Sequence, residues 1–328
     1  MPATAHDRSP ASWNGFTCTG VKRLLKQALS NEVLLRYSKG NRFIFCYHDI
    51  SDPTAPHHSA RYSTTPERFK EHVELFMRLF TVVPLDVLVS EERLPSGKNY
   101  AAITFDDGFH SVLTQAWPVL REARLPCTVF LNGASVLHGR GWITDLVLAA
   151  HDPAFVSGML AATGLGQADA TDPIGAIMAR GRFTSAFAHR PVLAPTTKTY
   201  LDVDDVRQLH GEGVFFVDHG WEHCVLSRCD EAMLEAEVTL GKEMITGITG
   251  QVPRHFALPF GKREHFDNWA LAALRRHGYT HVYTTNPNRV RPHRLGGISV
   301  LPRISVMDER VGQLLFNINR SVLRNYAI

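Results

Sequence analysis

The chain has 328 residues and a formal net charge of +3, with 44% hydrophobic and 20% charged residues. These values exclude wholesale disorder and predict a globular protein with a substantial core. Basic and acidic residues are interspersed, which gives no reason to expect nucleic acid as a partner. No segment is long and apolar enough to be an integral membrane segment, and residues 1–20 lack the apolar core of a secretion signal, so we expect a cytoplasmic protein.

Short apolar runs alternate with helical patterns along the chain. After a loose tail over residues 1–20, residues 21–37 carry apolar side chains at helical intervals and predict an amphipathic helix. Strands are predicted over residues 43–47, 81–83, 101–105, 127–131, 214–217, 255–258, 281–284 and 298–306. Helices are predicted over residues 66–80, 111–123, 230–246, 269–277 and, at the C-terminus, 307–328. This alternation implies an α/β fold with a mostly parallel sheet, either open or closed into a barrel.

Residues 137–200 interrupt the alternation. They combine clusters of glycine, alanine, aspartate and proline with short helical pieces, and they are too long for an ordinary connection. We interpret them as an insertion near the functional face, either a lid or specificity element or a loop without function. The rest of the chain then forms one domain over residues 43–306, preceded by the tail and helix of residues 1–42.

Polar and turn-forming residues collect where the predicted strands end. Because the carboxyl ends of parallel strands share one face of the fold, and this face carries the active site in such proteins, we expect these residues to lie close together. They are His48, Asp49, Asp106, Asp107, Asn132, His219, His223 and the turn over residues 259–261.

Two adjacent carboxylates, Asp106 and Asp107, follow one of these strands, and Gly108 lets the chain turn after them. On a regular strand their side chains would point to opposite faces, so both reach one pocket only if the backbone leaves strand geometry. Two close carboxylates repel each other when both are ionised, unless a cation lies beside them. The pair alone is also typical of a simple turn, but it is the first indication of a metal site.

His219 and His223 offer further ligands for a metal. Their spacing of four places both imidazoles on one face of a helix or of a tight turn. One carboxylate and two histidines, with an open position for water, are a common catalytic zinc set. Trp221 lies between them and is interpreted as a wall of the pocket or as a purely structural residue.

These residues together predict hydrolysis of an amide or an ester. A divalent ion held by Asp107, His219 and His223 would lower the pKa of a bound water and polarise a carbonyl of the substrate. Asp106, free of the ion, would take the proton from the attacking water. A backbone N–H in the turn Pro259-Phe260-Gly261 could stabilise the oxyanion, since proline fixes the approach and glycine permits a close fit.

Three motifs in order resemble those of the polysaccharide deacetylases, also called carbohydrate esterase family 4 or NodB-homology proteins. The motifs are Thr104-Phe105-Asp106-Asp107-Gly108, residues 219–223 and Ala257-Leu258-Pro259-Phe260-Gly261, and the resemblance covers about residues 43–306. It implies a distorted (β/α) barrel of about seven parallel strands, one divalent metal ion, and removal of an N-acyl group, usually acetyl, from an amino sugar. Zinc is the expected metal, with cobalt or nickel as alternatives. By motif position, Asp106 would be the general base, and the metal ligands would be Asp107, His219 and His223.

Two departures from the family pattern bear on the site. Many members begin the third motif with an arginine that pairs with the catalytic aspartate, and this chain has Ala257 there. Arg303 resembles an arginine in a subset that acts on exported poly-N-acetylglucosamine, and it is expected to take over the pairing. The late Leu-x-His motif that carries the general acid is not evident. His48, in a segment that resembles the opening strand of the same subset, His265 or a metal-bound histidine is left to protonate the leaving amine.

The resulting hypothesis is a metal-dependent hydrolase that removes an N-acyl group from an amino sugar in a glycan or a glycan precursor. Two alternatives stay open. The same site could remove a formyl group or open a linear or cyclic amide, because metal and base recognise the carbonyl and not the sugar. A catalytically inactive carbohydrate-binding module on the same fold would also account for Ala257 and the missing late histidine.

Overall fold

The structure is a computed structural model, and it describes residues 26–90, 94–139, 141, 144, 147, 198–291 and 294–324. The predicted tail over residues 1–20 lies outside these residues, as do residues 148–197 of the insertion predicted over residues 137–200. Among the helices that are described, none combines the length and the apolar character needed to cross a bilayer.

One large sheet organises the described chain. The strands are Arg42–Tyr47 (β1), Asp49–Ile50 (β2), Ser63–Thr64 (β3), Thr81–Val82 (β4), Tyr100–Phe105 (β5), Cys127–Leu131 (β6), Phe215–Asp218 (β7), His255–Ala257 (β8), His281–Thr284 (β9), Arg294–Leu295 (β10), Ile298–Pro302 (β11) and Ile304–Ser305 (β12). The large sheet has the order β10-β11-β9-β8-β7-β6-β5-β1-β12, and β4 pairs with β5 beside this path. Strands β2 and β3 form a separate two-stranded sheet. Apart from the antiparallel pair β10–β11, the pairings are parallel, as the alternation of strand and helix predicts.

One continuous segment of the chain pairs with strands on both sides of this sheet. β11 pairs with β9, β12 pairs with β1, and only Arg303 separates the two segments. The Arg303 N–H donates to the Thr284 carbonyl at 2.9 Å, and the Val306 N–H donates to the Cys46 carbonyl at 2.8 Å. The single strand predicted over residues 298–306 is therefore split at residue 303, because it changes partners there. Through this segment the parallel strands β1 and β5 to β9 are linked from both sides, an arrangement that matches the distorted barrel implied by the family resemblance.

Alternate residues of the strands face two different cores. One face packs against the helices in a cluster that includes Phe45, Ile103 and Val129. The opposite face fills the barrel, and its strand residues include Ile44, Ala102, Phe130, Val217, Ala257, Tyr283 and Leu301. All six residues of β5 are buried for this reason, which explains why the strand is an apolar run and not an alternating pattern.

The helices are Val33–Tyr37 (α1), Pro66–Leu79 (α2), Leu85–Val89 (α3), Trp117–Glu122 (α4), Gly133–His138 (α5), Val203–Gly211 (α6), Glu231–Thr249 (α7), Asn268–Arg276 (α8) and Val311–Leu323 (α9). Start signals in the sequence explain two long ones. The Thr65 side chain accepts from the Arg68 N–H before α2, and the Asp230 side chain accepts from the Met233 N–H at the start of α7. Helices α3, α5 and α6 are absent from the prediction; α3 and α5 have only five and six residues, which give little periodic signal.

The helix predicted over residues 111–123 opens with a π-helical turn, Val112–Ala116, before α4 begins. In this turn the Trp117 N–H donates to the Val112 carbonyl, five residues earlier. Pro118 follows directly and has no N–H to donate to a carbonyl four residues earlier, so regular α-helical pairing is disturbed at this point. The prediction of one regular helix here is wrong for its first turn.

The amphipathic helix predicted over residues 21–37 is not continuous. Residues 26–29 are helical and α1 follows, but residues 30–32 leave the helix. The buried side chain of Asn319, in α9, donates to the Leu29 and Asn31 carbonyls at 2.8 Å each. Because these carbonyls find their partner on another helix, the interruption ties the N-terminal segment to α9.

Candidate active site

Asp106 and Asp107 lie where β5 ends and the backbone turns sharply. The Asp106 N–H still donates to the Tyr47 carbonyl at 2.9 Å, in continuation of the sheet. Asp107 (φ 68°) and Gly108 (φ 74°) then adopt left-handed backbone conformations. Aspartate tolerates this region better than most side chains, and the turn lets both carboxylates face the same pocket.

His219 and His223 lie on a loop that follows β7, which we call the ligand loop, residues 219–224. The loop is neither helix nor strand, and it turns through left-handed conformations at Gly220 (φ 86°) and His223 (φ 60°). The His219 N–H donates to the Leu131 carbonyl at 2.9 Å, which fixes the start of the loop beside β6. The two imidazole rings meet edge to face with centroids 4.8 Å apart. The spacing of four therefore acts through a tight turn and not through a helix.

Asp107 and the two histidines converge on one point. Asp107 Oδ1 lies 3.5 Å from His219 Nε2 and 3.4 Å from His223 Nε2. One candidate ligand atom from each residue lies within 4.8 Å of the other two. The structure thus brings together, at the carboxyl ends of β5 and β7, the three residues predicted as metal ligands.

The chemistry of these donors fits a divalent cation. His219 Nδ1–H donates to the Ala257 carbonyl at 2.9 Å, which directs the Nε2 lone pair toward the carboxylates. Burial lowers the pKa of His219 to about 4 and that of His223 to about 3, although the Asp106 carboxylate opposes the shift. Both imidazoles are therefore neutral near pH 7. Burial raises the pKa of Asp107, so a cation beside this carboxylate would stabilise its charge.

Asp106 is held by a buried arginine. Arg303 donates from Nη1 to Asp106 Oδ1 and from Nη2 to Asp106 Oδ2, both at 2.6 Å. Burial alone would raise the pKa of Asp106, but the charge and hydrogen bonds of Arg303, together with the neighbouring histidines, outweigh burial and lower this pKa well below the usual range of an aspartate. Asp106 Oδ2 also lies 3.6 Å from His219 Nε2, so an ionised carboxylate borders the ligand set.

The bend between β11 and β12 places Arg303 inside the barrel. Its side chain is fully buried, and its guanidinium lies 5.0 Å from the centre of the Phe130 ring and 6.0 Å from that of Tyr283. Ala257, the position of the family's usual arginine, belongs to the same interior cluster as these rings. The structure therefore contains the pairing predicted for Arg303, and the small side chain at residue 257 leaves the interior to it.

His48 and Cys46 border Asp106 on the side of β1. Candidate ligand atoms of Cys46, His48 and Asp106 lie within 4.8 Å of one another. The Cys46 thiol donates to Asp106 Oδ2 at 3.3 Å, and burial raises the pKa of this thiol well above its usual value, so it stays protonated. Within the described residues, the buried His48 Nδ1 has no hydrogen-bond partner. Sequence reasoning does not single out Cys46. Its place in the site follows from the strand register, which sets it beside Thr104 of β5.

The turn over residues 259–261 borders His223. Phe260 (φ 61°) and Gly261 (φ 65°) have left-handed conformations. Thr285 fixes them, because its N–H donates to the Gly261 carbonyl at 2.9 Å and its hydroxyl donates to the Phe260 carbonyl at 2.8 Å. The Phe260 ring packs edge to face against His223 with centroids 4.6 Å apart. The turn is next to the ligand set, and an oxyanion donor in it stays a prediction.

Trp221 lies on the ligand loop but packs against α5. A Cβ atom at Gly133 would lie 2.6 Å from Trp221 Cε3, so the indole rests directly on the first residue of that helix. The His138 ring meets the indole edge to face with centroids 6.5 Å apart. These contacts join the loop to α5, and a part for Trp221 in substrate binding stays a prediction.

Two further buried acids lie beneath the ligand loop, and sequence reasoning assigns neither to the site. Asp218 accepts from the Gly220 N–H at 2.8 Å and from the Tyr279 hydroxyl. Glu237, on α7, accepts from other N–H groups of the loop. Burial raises the pKa of Asp218 and of Glu237 to about 7, against hydrogen bonds that lower it. The sequence does contain a signal for Glu237: it is a charged residue at a position of α7 where the helical spacing from Leu234 predicts a buried side chain.

Solved structures with a similar fold are distant in sequence. A polysaccharide deacetylase from Bacillus cereus has a TM-score of 0.56 at 14% identity, with 85% of this chain and 69% of that chain covered. A Streptococcus pyogenes deacetylase, PplD, in complex with acetate, has a TM-score of 0.54 at 14% identity, covering 88% and 97%. IcaB from Ammonifex degensii has a TM-score of 0.54 at 17% identity, covering 84% and 95%. At these identities the likeness shows the fold.

The family is shown by the sequence itself. No curated protein matches the chain. The sequence model of one family, described as Polysaccharide deacetylase, matches residues 93–282, which is more than half of the chain. This match contains all three motifs, including both aspartates of the first and both histidines of the second. The chain belongs to the polysaccharide deacetylase family.

Proposed function

We propose that this member of the family is a metal-dependent hydrolase that removes an N-acyl group, acetyl in the first instance, from an amino sugar in a glycan or glycan precursor. The observation that carries the proposal is the contrast between two adjacent carboxylates. Asp107 joins His219 and His223 in a set of metal donors. Asp106 is paired with Arg303 and kept ionised beside that set.

Asp107, His219 and His223 would hold the ion, and zinc is our first candidate, with cobalt and nickel as alternatives. Two neutral imidazoles and one carboxylate form the ligand set of many catalytic zinc sites, which keep a further position open. When bound, a divalent cation polarises an acyl carbonyl and makes water more acidic. The chain itself orients the ligands, through the left-handed turn at Asp107 and the hydrogen bond from His219 to the Ala257 carbonyl.

Asp106 is our candidate for the general base. Its carboxylate is ionised, because the charge and hydrogen bonds of Arg303 and the nearby histidines together outweigh the effect of burial on its pKa. Oδ2 of this carboxylate lies at the edge of the ligand set, 3.6 Å from His219 Nε2. A carboxylate so placed can take the proton from a water that attacks the acyl carbon. Arg303 acts through Asp106 and is a positioning residue.

His48 is our candidate for the acid that protonates the leaving amine. One of its ring nitrogens lies within 4.8 Å of an Asp106 oxygen. His265 is less well placed, because within the described residues it is His48, and not His265, that clusters with Asp106. A histidine of the ligand set would have its Nε2 engaged by the ion.

The turn Pro259-Phe260-Gly261 is our candidate for the oxyanion site. A backbone N–H of this turn, next to His223, would donate to the oxyanion that forms when water adds to the carbonyl.

Acetyl is favoured because one relative of the same fold, Streptococcus pyogenes PplD, is a deacetylase whose structure contains acetate.

Release of acetate from N-acetylglucosamine oligomers by the zinc-loaded protein tests the proposal. We expect the wild type to release acetate, and Asp106→Asn to retain its metal while turnover falls by about 10²–10⁴-fold, the usual contribution of a general base. Asp204→Asn, which changes an exposed acid on α6, is the matched control and is expected to behave as the wild type.

The alternatives give different results in the same assay. Formate from N-formyl sugars or a ring-opened product from cyclic amides, without acetate from any N-acetyl sugar, would replace the acetyl assignment. Metal-loaded wild-type protein that binds the oligomers but releases no acyl group would overturn the hydrolase and favour a carbohydrate-binding module.

A further inference from the structure

We propose that Glu237 is a positioning residue whose carboxylate holds the ligand loop in the conformation that presents His219 and His223 to the metal. The inference rests on the proposed function, because it assigns a task to a residue outside the three motifs. Glu237 belongs to α7, and only 3% of it is exposed. It reaches the loop from beneath, where its carboxylate accepts hydrogen bonds from backbone N–H groups.

The contacts of Glu237 are with the backbone on both sides of His223. Glu237 Oε2 accepts from the Trp221 N–H at 3.0 Å, and Glu237 Oε1 accepts from the Glu222 N–H at 2.8 Å. The Cys224 N–H also donates to Oε2 at 3.5 Å. One carboxylate therefore receives the N–H groups that directly flank the second histidine.

The ligand loop needs these acceptors because it has no regular structure of its own. A buried N–H group without a partner is costly, and a loop that is neither helix nor strand cannot pair its N–H groups internally. The loop carbonyls are paired on the other side, where the N–H groups of Gly133 and Ala134 donate to the carbonyls of Gly220 and Trp221 at 3.0 and 2.9 Å. Glu237 supplies the matching acceptors for the N–H groups.

The close fit between the loop and Glu237 requires glycine at position 220. A Cβ atom at Gly220 would lie 2.5 Å from Glu237 Oε2, so a larger residue there would displace the carboxylate. Gly220 also has a left-handed backbone (φ 86°), and so has His223 (φ 60°), whose neighbours on both sides donate their N–H groups to Glu237. These hydrogen bonds thus maintain a backbone conformation that a histidine rarely adopts.

The variant Glu237→Gln keeps the size of the side chain and removes one of its two acceptors. Its NH₂ group would face an N–H donor of the loop, so at least one of the flanking hydrogen bonds is lost. Glu243→Gln, an exposed position on the same helix, is the matched control. Both proteins are studied as the full chain, without metal and with zinc or cobalt.

Two measurements distinguish a positioning role from general stabilisation. The first is the zinc dissociation constant by competition with a chelating dye, together with the visible spectrum of the cobalt-loaded protein. The second is hydrogen exchange of the metal-free protein at the amides of Trp221, Glu222 and Cys224. We expect Glu237→Gln to weaken zinc binding by about 10–100-fold, to change the cobalt spectrum, and to speed exchange in the loop while the amides of β6 stay protected. Glu243→Gln should match the wild type.

The proposal is overturned if Glu237→Gln binds zinc as the wild type does, or if exchange rises equally in the loop and in β6. Should Glu237→Gln fail to fold, Gly220→Ala is used instead, because its methyl group displaces the carboxylate from the loop side. The same two measurements apply to it, and unchanged zinc binding or an equal rise of exchange in the loop and in β6 again overturns the proposal. Neither measurement uses turnover. Wild-type protein that binds zinc but releases no acyl group would overturn the proposed function and leave the result on Glu237 standing.

Discussion

Asp106 and Arg303 are both fully buried and joined by two hydrogen bonds of 2.6 Å, so the loss of one partner leaves a charge without compensation. Removing one member of a buried ion pair usually costs about 3–5 kcal/mol of stability. We expect Arg303→Met to lower the free energy of unfolding by this amount, because the Asp106 carboxylate stays buried.

A double variant separates the charge from the packing. Arg303→Met combined with Asp106→Asn removes both charges, and it should be more stable than the sum of the two single losses. Urea unfolding of the four proteins measures this coupling, with Arg207→Met, an exposed position, as the control for the substitution itself. Strictly additive losses would contradict the account of this pair.

At the residue scale, the sequence was sufficient wherever chemistry is concentrated in a short motif. The pair Asp106 and Asp107 and the pair His219 and His223 could be named because carboxylates and imidazoles at these spacings are typical of metal sites. Cys46 and Glu237 could not be assigned, since their parts depend on strand register and on which face of α7 meets a loop. Neither is encoded by local spacing.

Strand ends that carry the site share one backbone feature. Asp107, His223 and Phe260 are three of the four residues other than glycine that have a positive φ within the described ranges. Each follows a strand of the barrel, and each is fixed by neighbours that pair with its loop. Such conformations persist when the surrounding structure determines them, and they are frequent at active sites.

The turn after β5 gives a direct test of how packing fixes these strand ends. A Cβ atom at Gly108 would lie 2.8 Å from Leu131 Cδ2, and the residue has a φ of 74°. Gly139, at the end of α5, has a similar φ of 68° but nothing within 4 Å of its Cβ position. We expect Gly139→Ala to lose about 1–2 kcal/mol, the cost of the left-handed backbone, and Gly108→Ala to lose more because of the added clash. Urea unfolding compares the two, and equal losses would contradict the role of packing at this turn.

Elements were predictable where their pattern is long or strongly apolar. The predicted strands over residues 127–131 and 281–284 have the bounds that the structure shows for β6 and β9. The strand over residues 298–306 was predicted as one, because its split at residue 303 depends on a change of partner strand. The π-helical turn before α4 has a local cause in Pro118, which could have been recognised.

The whole molecule explains why an arginine from the end of the chain can serve Asp106. The segment that contains β11 and β12 joins β9 to β1, and its central residue, Arg303, donates to the carboxylate at the end of β5. No local pattern shows which strands become neighbours, so this pairing followed from the family resemblance and not from periodicity. The predicted cytoplasmic location stays a prediction.

Metal removal should change the stability of the whole fold. A ligand that binds only the folded state raises stability with its concentration, by about 2.7 kcal/mol at one hundred times its dissociation constant. We expect the zinc-loaded wild type to unfold at a higher temperature than the chelated protein, and His223→Ala to lose this difference. Differential scanning calorimetry measures both, and an equal zinc-dependent rise in His223→Ala would contradict the ligand assignment.

The central claim is that Asp107, His219 and His223 hold one divalent ion while Asp106 remains free of it. Anomalous scattering at the zinc edge, from crystals of the full chain grown with zinc, tests this claim most directly. We predict a single strong peak in the site, within bonding distance of Asp107 Oδ1 and of Nε2 of both histidines. A peak bound instead by Cys46, His48 and Asp106, which also lie within 4.8 Å of one another, would contradict it.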